Sequence, residues 1–165
     1  FLGNGSELGE LAHSADASGW HPYLLSPGLL AERGIFDLPA SFSYRVMLSY
    51  ASLPTDYSLS GAEEFERLHE KYRFGYEYDI AQVSAFTAAK VLVAGLENVG
   101  RRLNRDELLL GLEGIDDFRP GLAPPLSFGP FRRTGSMGAH IVRVDLVADR
   151  FDPTTGWIAL DESER

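Results

Sequence analysis

The sequence predicts an α/β fold with parallel strands. Short apolar runs at 1–3, 23–25 and 45–50 are too brief for helices and alternate with helical patterns, the order expected of such a fold. The chain changes character at Leu53-Pro54-Thr55-Asp56, after which two long helical patterns follow. Its opening, Phe1-Leu2-Gly3-Asn4-Gly5-Ser6-Glu7, reads as the last residues of a buried strand, a glycine turn and a helix start. No initiator methionine, signal peptide or earlier strand precedes it in these 165 residues. The neighbours of that strand are therefore expected elsewhere, and the chain is read as the C-terminal half of a longer protein.

Ser6 to Ser18 is predicted helical, with Leu8, Leu11, Ala12 and Ala15 on one face and Gly19 at its end. Trp20-His21-Pro22 is a turn, and Tyr23-Leu24-Leu25 a strand stopped by Ser26-Pro27-Gly28. A helical turn is expected over 29–34 and a strand over 45–50. Of the two long helices, the first runs from about Gly61 to Phe74, with Ser60 and Glu63 at capping-box spacing. The second runs from Asp79 to about Val99, with Ile80, Val83, Phe86, Thr87, Val91 and Leu92 at helical spacing, and Gly100 ends it. Asn104 and Glu107 repeat the capping-box spacing before a third helix to Leu112. Beyond Asp117 the chain is rich in proline and glycine. Leu126-Ser127-Phe128 reads as a strand and residues 129–135 as a loop. Residues 139–145 alternate as a strand should, and a last hairpin is expected from Arg150-Phe151 and Trp157-Ile158.

Composition removes several function classes. The formal charge is −9 with no basic run, and Arg101-Arg102 and Arg132-Arg133 are isolated pairs, so nucleic acid is not expected as a partner. The longest apolar stretch, Ile80 to Val99, contains Gln82, Lys90 and Glu97, so no membrane span is expected. The chain has no cysteine, which excludes disulfides, thiol catalysis and cysteine-ligated metal.

Candidate chemistry is sparse. Gly3-x-Gly5-x-x-x-Gly9 after a strand suggests a dinucleotide fingerprint, but the next strand ends at Ser26 without the acid that would hold a ribose. The turn is read instead as an ordinary strand-to-helix junction whose free amides suit a polar ligand group. His13, His21, His69 and His140 lie at no metal-ligand spacing, so no metal or cofactor is expected. Gly135-Ser136-Met137-Gly138 fails the G-x-S-x-G spacing of a nucleophile elbow. Glu113, Asp116 and Asp117 read as a solvated helix end. Tyr76-Glu77-Tyr78 suits either a ligand face or a closure of the helix–helix junction. No acid, base and nucleophile set can be assembled, so an enzyme is not expected.

Four stretches carry a resemblance. They are Phe1-Leu-Gly-Asn-Gly-Ser-Glu7 with Ala15-Asp-Ala-Ser-Gly-Trp20; Val46-Met-Leu-Ser-Tyr-Ala-Ser-Leu-Pro54; Phe65-Glu-Arg-Leu-His-Glu-Lys-Tyr72 with Ala88-Ala-Lys-Val-Leu92 and Leu96-Glu-Asn-Val-Gly100; and Pro125-Leu-Ser-Phe-Gly-Pro130 followed by Gly135. Their order resembles the C-terminal half of the type I periplasmic solute-binding proteins, the branched-chain amino-acid-binding family of ABC transporter components. The resemblance implies three-layer α/β lobes with parallel sheets, of which this chain holds only part. Residues 1–50 and 139–165 would belong to the second lobe and 51–138 to the first, with crossings near Tyr50–Asp56 and Gly135–Gly138. It implies a small polar or aromatic solute bound between lobes without catalysis, a membrane permease as partner, and an extracytoplasmic location. A sensory ligand-binding module of a receptor or regulator with the same fold is the alternative.

The family's ligand contacts map onto Asn4, Gly5 and Ser6, onto Ser26, Pro27 and Gly28, and onto Tyr78 and Gln82. Alanine at Asn4 or Ser26 is expected to weaken binding without lowering the melting temperature. Amino-acid-binding members place an acid in the second of these loops, where this chain has Gly28, so a solute without an ammonium group is expected.

Overall fold

A computed structural model describes residues 3–31, 33–75, 78–154 and 156–160. The chain forms two compact units, one built from Phe1–Ala51 with Gly138–Arg165 and the other from Ser52–Met137.

The first unit is an α/β layer. Helix α1 (Gly5–Ala17) starts at Asn4, whose side-chain oxygen accepts the Glu7 N–H at 2.9 Å while Glu7 accepts the Asn4 N–H at 3.0 Å. That reciprocal cap satisfies two helix-end donors and fixes where the helix begins. Strand β1 (Leu24–Pro27) lies parallel to β2 (Val46–Tyr50), Leu24 opposite Val46 and Ser26 opposite Leu48. Between them run a short helix α2 (Gly28–Ala31) and 3₁₀ turns at Arg33–Asp37 and Ala40–Phe42. The predicted first strand at 1–3 rests on Phe1 and Leu2, which lie outside the described residues.

The sheet is mixed rather than wholly parallel. Strand β3 (Gly138–Asp145) pairs antiparallel with β2, Tyr50 opposite His140 and Leu48 opposite Val142. Strands β4 (Arg150–Pro153) and β5 (Ile158–Ala159) both pair with β3, so the expected hairpin of the last two segments does not form between them. Side chains alternate across the pleat. One face, with Leu24, Val46, Leu48 and Val144, forms a core with Leu8, Ala12 and Ala15 of α1 and with Ile35, Leu38 and Phe42. Leu11, expected on that helix face, is exposed. The other sheet face, with Leu25, Met47, Ile141 and Arg143, stays half-buried to exposed.

The β3–β4 turn is organised by Asp145. Its Oδ1 accepts the N–H groups of Val147 and Ala148, both at 3.1 Å, and its Oδ2 accepts the Tyr44 hydroxyl. The Tyr44 hydrogen bond first, then the two backbone bonds and Arg150, hold its pKa down at about 2. Tyr44 itself stands at φ 60°, a left-handed conformation that a tyrosine adopts only when held. Its N–H donates to Val144 O at 2.8 Å and its hydroxyl to Asp145, which together hold it.

The second unit is helical. Helix α3 (Leu59–Tyr72) begins two residues before the predicted start. Ser58 caps it by accepting the Gly61 N–H, and the Ser60–Glu63 spacing is not the one used. The choice is tertiary, because the Ser58 N–H also donates to Gly121 O at 2.8 Å, docking the helix start on the proline-rich loop. Helix α4 (Asp79–Val99) and helix α5 (Arg105–Glu113), the latter capped by Asn104, pack closely through Gly95 and Gly111. Val83, Phe86 and Leu122 form the buried core, with Phe65 and Leu68 against it, and Lys90 pairs with Glu64 at 2.8 Å. Contrary to the sequence-based expectation, α4 is long and apolar enough to cross a membrane by length and composition, and only 17% of its most apolar window is buried. Leu126–Phe128 is not a strand. Leu126 makes one isolated bridge to Phe118, while the Phe128 N–H goes to Ile115 O and the Ser127 hydroxyl to Asp116.

Candidate functional site

The carboxyl ends of parallel strands, where α/β folds leave a crevice for ligands, are the ends of β1 and β2 in the first unit. Ser26, Pro27 and Gly28 stand at the end of β1. Ser26 is only 5% exposed and its position faces the core, with a weak 3.4 Å hydrogen bond from its hydroxyl to Pro27 O. Pro27 is half-buried on the opposite face, and Gly28 is buried at the start of α2. Asn4, Gly5 and Ser6 form the start of α1. Gly5 is buried and Ser6 exposed, and the Asn4 side chain is committed to its cap. An alanine at Asn4 therefore removes a helix cap, contrary to the expectation that stability would be untouched.

Tyr78 and Gln82 belong to the second unit, at the start of α4. Tyr78 is 73% exposed, and the Gln82 N–H donates to Tyr78 O at 2.9 Å. The Gln82 side-chain amide donates to Gly75 O at 2.6 Å, leaving its buried carbonyl oxygen without a hydrogen bond. Tyr76 and Glu77 lie outside the described residues.

Tyr50, which is not among the residues expected at the site, stands against one of them in the first unit. Its ring lies across Gly28, where an added Cβ would sit 2.2 Å from both Cε1 and Cζ and 2.7 Å from Cδ1. The same device recurs at the start of β3, where Gly138 leaves room for the Trp157 indole, whose ring stands edge-on to His140 at 5.2 Å. Tyr50 and His140 are register partners, so these aromatic groups gather at one end of the sheet. Burial pushes the Tyr50 pKa up. The only sequence-level signal was a tyrosine closing a strand with a glycine at the end of another; which strands pair, and in what register, is not written locally.

Two other groupings are less suited to ligands. Ser41 and His21 both bond the same oxygen of Asp16, His21 Nε2 at 2.8 Å, so the serine does not bond the histidine and no nucleophile relay exists there. The Ser41 hydroxyl, then His21, lowers the Asp16 pKa. A hollow of about 400 Å³ in the second unit is lined by Asn98, Glu107, Leu110 and Gly111. It is the groove between α4 and α5, partly closed by the Asn98 bond to Gly111 O, and contains none of the candidate residues. Among the described residues no group of three His, Asp or Glu side chains is placed to hold a metal.

No family model matches the chain, and no curated protein matches it. Solved structures do. A fatty acid ABC transporter substrate-binding protein from Thermomonospora curvata aligns over 99% of this chain and 43% of its own, at TM-score 0.69 and 16% identity. A branched-chain amino acid ABC transporter structure from Thermus thermophilus, with bound valine, aligns over 93% and 43%, at 0.66 and 15%. A periplasmic binding protein type 1 from Bordetella pertussis Tohama I aligns over 96% and 45%, at 0.64 and 12%.

The chain carries part of a type I periplasmic-binding-protein fold.

It spans less than half the length of each of these structures. Within the periplasmic-binding-protein fold, the first unit supplies a mixed sheet with α1 and α2 packed on it, and the second supplies the paired long helices α3 and α4.

Proposed function

We propose that the chain is part of the solute-binding component of an ABC transporter, acting outside the cytoplasm and passing its solute to a membrane permease without catalysis. The observation that carries this reading is the fold likeness, over 93–99% of the chain, to structures named as parts of ABC transporters. The first unit is read as part of the second lobe and the second unit as part of the first. Asn4, Gly5, Ser6, Ser26, Pro27 and Gly28 are proposed as the first unit's solute-binding surface, and Tyr78 and Gln82 as the second unit's own candidates.

The solute is proposed to lack an ammonium group. A buried ammonium needs a carboxylate, because an unpaired buried ion costs several kcal/mol, on the order given for desolvated charges. Gly28 cannot be replaced by an acid without displacing Tyr50, and Glu7 is turned back on the start of α1, where its Oε2 accepts the Asn4 N–H. Calorimetric titration of the full-length protein with valine and with isovalerate tests it, since the two share alkyl group and carboxylate and differ in the ammonium. Tighter binding of isovalerate is expected, and micromolar binding of valine would refute the claim. Mass spectrometry of the solute retained through purification should show a molecule without an amino group.

A further inference from the structure

Tyr50 is held unusually for a residue with a free polar end. Its ring is packed on the buried core of the first unit and fills the space that any side chain at position 28 would need. Since Cζ is one of the atoms closest to Gly28, the hydroxyl it bears emerges beside the turn at the end of β1. Among the described residues that hydroxyl has no hydrogen-bond partner, and Tyr50 is half-buried rather than enclosed. A phenol donates one hydrogen bond, and its raised pKa keeps it a donor across the neutral range. The rotamer is fixed by packing, so little side-chain entropy is lost when a ligand engages it.

Resting on the solute-binding reading above, we propose that the Tyr50 hydroxyl is a direct solute contact that donates to an oxygen acceptor, and that the Gly28–Tyr50 interlock selects solutes bearing a carboxylate or carbonyl next to an apolar body. The two residues act as one element. Glycine at 28 leaves the space that the ring fills, and the ring in turn excludes a charged side chain from that place. The Tyr50 ring, with Trp157 over Gly138 at the same end of the sheet, supplies an apolar surface for the rest of the solute.

The test uses the full-length protein with three probes, valine, isovalerate and octanoate, titrated into wild type, Tyr50→Phe and Gly28→Ala. Tyr50→Phe keeps the ring and removes only the donor. Because no described residue hydrogen-bonds that hydroxyl, the melting temperature should stay within a degree or so while isovalerate and octanoate bind about tenfold or more weakly, the usual loss for one hydrogen bond to a charged group. Gly28→Ala should weaken both probes as well, by pushing the ring aside, and Tyr50→Phe should add nothing further in that background. Undiminished binding of isovalerate and octanoate by Tyr50→Phe would overturn the assignment of Tyr50 while leaving solute binding standing. Failure of the wild type to bind any of the three would instead overturn the solute-binding reading on which the assignment rests.

Discussion

Gly61 and Gly9 are both helical glycines, and replacing each by alanine should move stability in opposite directions. In an ordinary helix the change gains roughly 0.5–1 kcal/mol by restricting the unfolded chain. Gly9, in α1, has nothing within 4 Å of the added methyl, so it should show that gain. At Gly61 the new carbon would lie 2.5 Å from Gly121 O, 2.6 Å from its carbonyl carbon and 2.7 Å from its Cα, all backbone atoms. Ordinary carbon contacts are about 3.5–4.0 Å, so the two segments must part by about 1 Å. That shift stretches the 2.8 Å bond from the Ser58 N–H to Gly121 O out of range, in a place that also caps α3. Overpacking costs about 1–3 kcal/mol and a lost hydrogen bond about 1 kcal/mol, against a helix gain of up to about 1 kcal/mol. The net is a loss of about 1–3 kcal/mol. Urea unfolding followed by far-UV ellipticity should show the Gly61→Ala midpoint lowered by roughly 0.5–1.5 M at a typical denaturant slope. Trp20 and Trp157 both lie in the first unit, so tryptophan fluorescence should report the rise for Gly9→Ala. A Gly61→Ala midpoint equal to or above wild type would refute the close backbone approach.

Two further outcomes follow from side chains already described. Asp145 has a folded-state pKa depressed to about 2, so the stability it confers is present above the unfolded carboxylate value and is lost as pH falls through the folded one. Urea midpoints measured from pH 6 to pH 2 should fall in acid for the wild type, and Asp145→Asn should be less stable at neutral pH with a flatter acid limb; an unchanged acid limb would remove Asp145 from that role. Asn4→Ala should cost about 0.5–2 kcal/mol through loss of the α1 cap, read as a lowered thermal midpoint with no solute present, whereas an unchanged midpoint would return Asn4 to a purely ligand-facing role.

Much of the fold was legible because the deciding forces were local. Leu8, Ala12 and Ala15 recur at helical spacing and all are buried, and the apolar runs near Leu24 and Val46 do become parallel neighbours. The alternation from Ala139 to Asp145 gives the strand that pairs back on β2. What escaped was set by partners distant in sequence. Ser60, with Glu63 three residues on, has the capping-box spacing, yet Ser58 is the cap used, where its own N–H also reaches Gly121 O. Leu126–Phe128 looked like a strand, but its polar groups are satisfied one at a time by Phe118, Asp116 and Ile115. At the candidate site, the turn after β1 could be located but not its side chains. A four-residue strand fits either phase of alternation, and the phase adopted turns Ser26 inward. The ring of Tyr50 over Gly28 required the pairing register, which no window of sequence contains.

The connectivity of the first unit carries a consequence for how the chain folds. Its strands β2 and β3 are direct neighbours, yet the whole of residues 52–137 is made between them. On the ribosome the helical unit is a contiguous segment and is complete before β3 exists, so it can condense while β2 waits with an unpaired edge. Condensation also shortens the flexible stretch that β2–β3 pairing must close. The saving is small in free energy, about 0.6 kcal/mol for each halving of a flexible loop. The gain is in time, because a long-range pairing becomes a short search and an aggregation-prone edge is covered sooner. Lesions that loosen the helical unit should therefore appear first as slow or misdirected assembly of the sheet whose strands flank it in sequence.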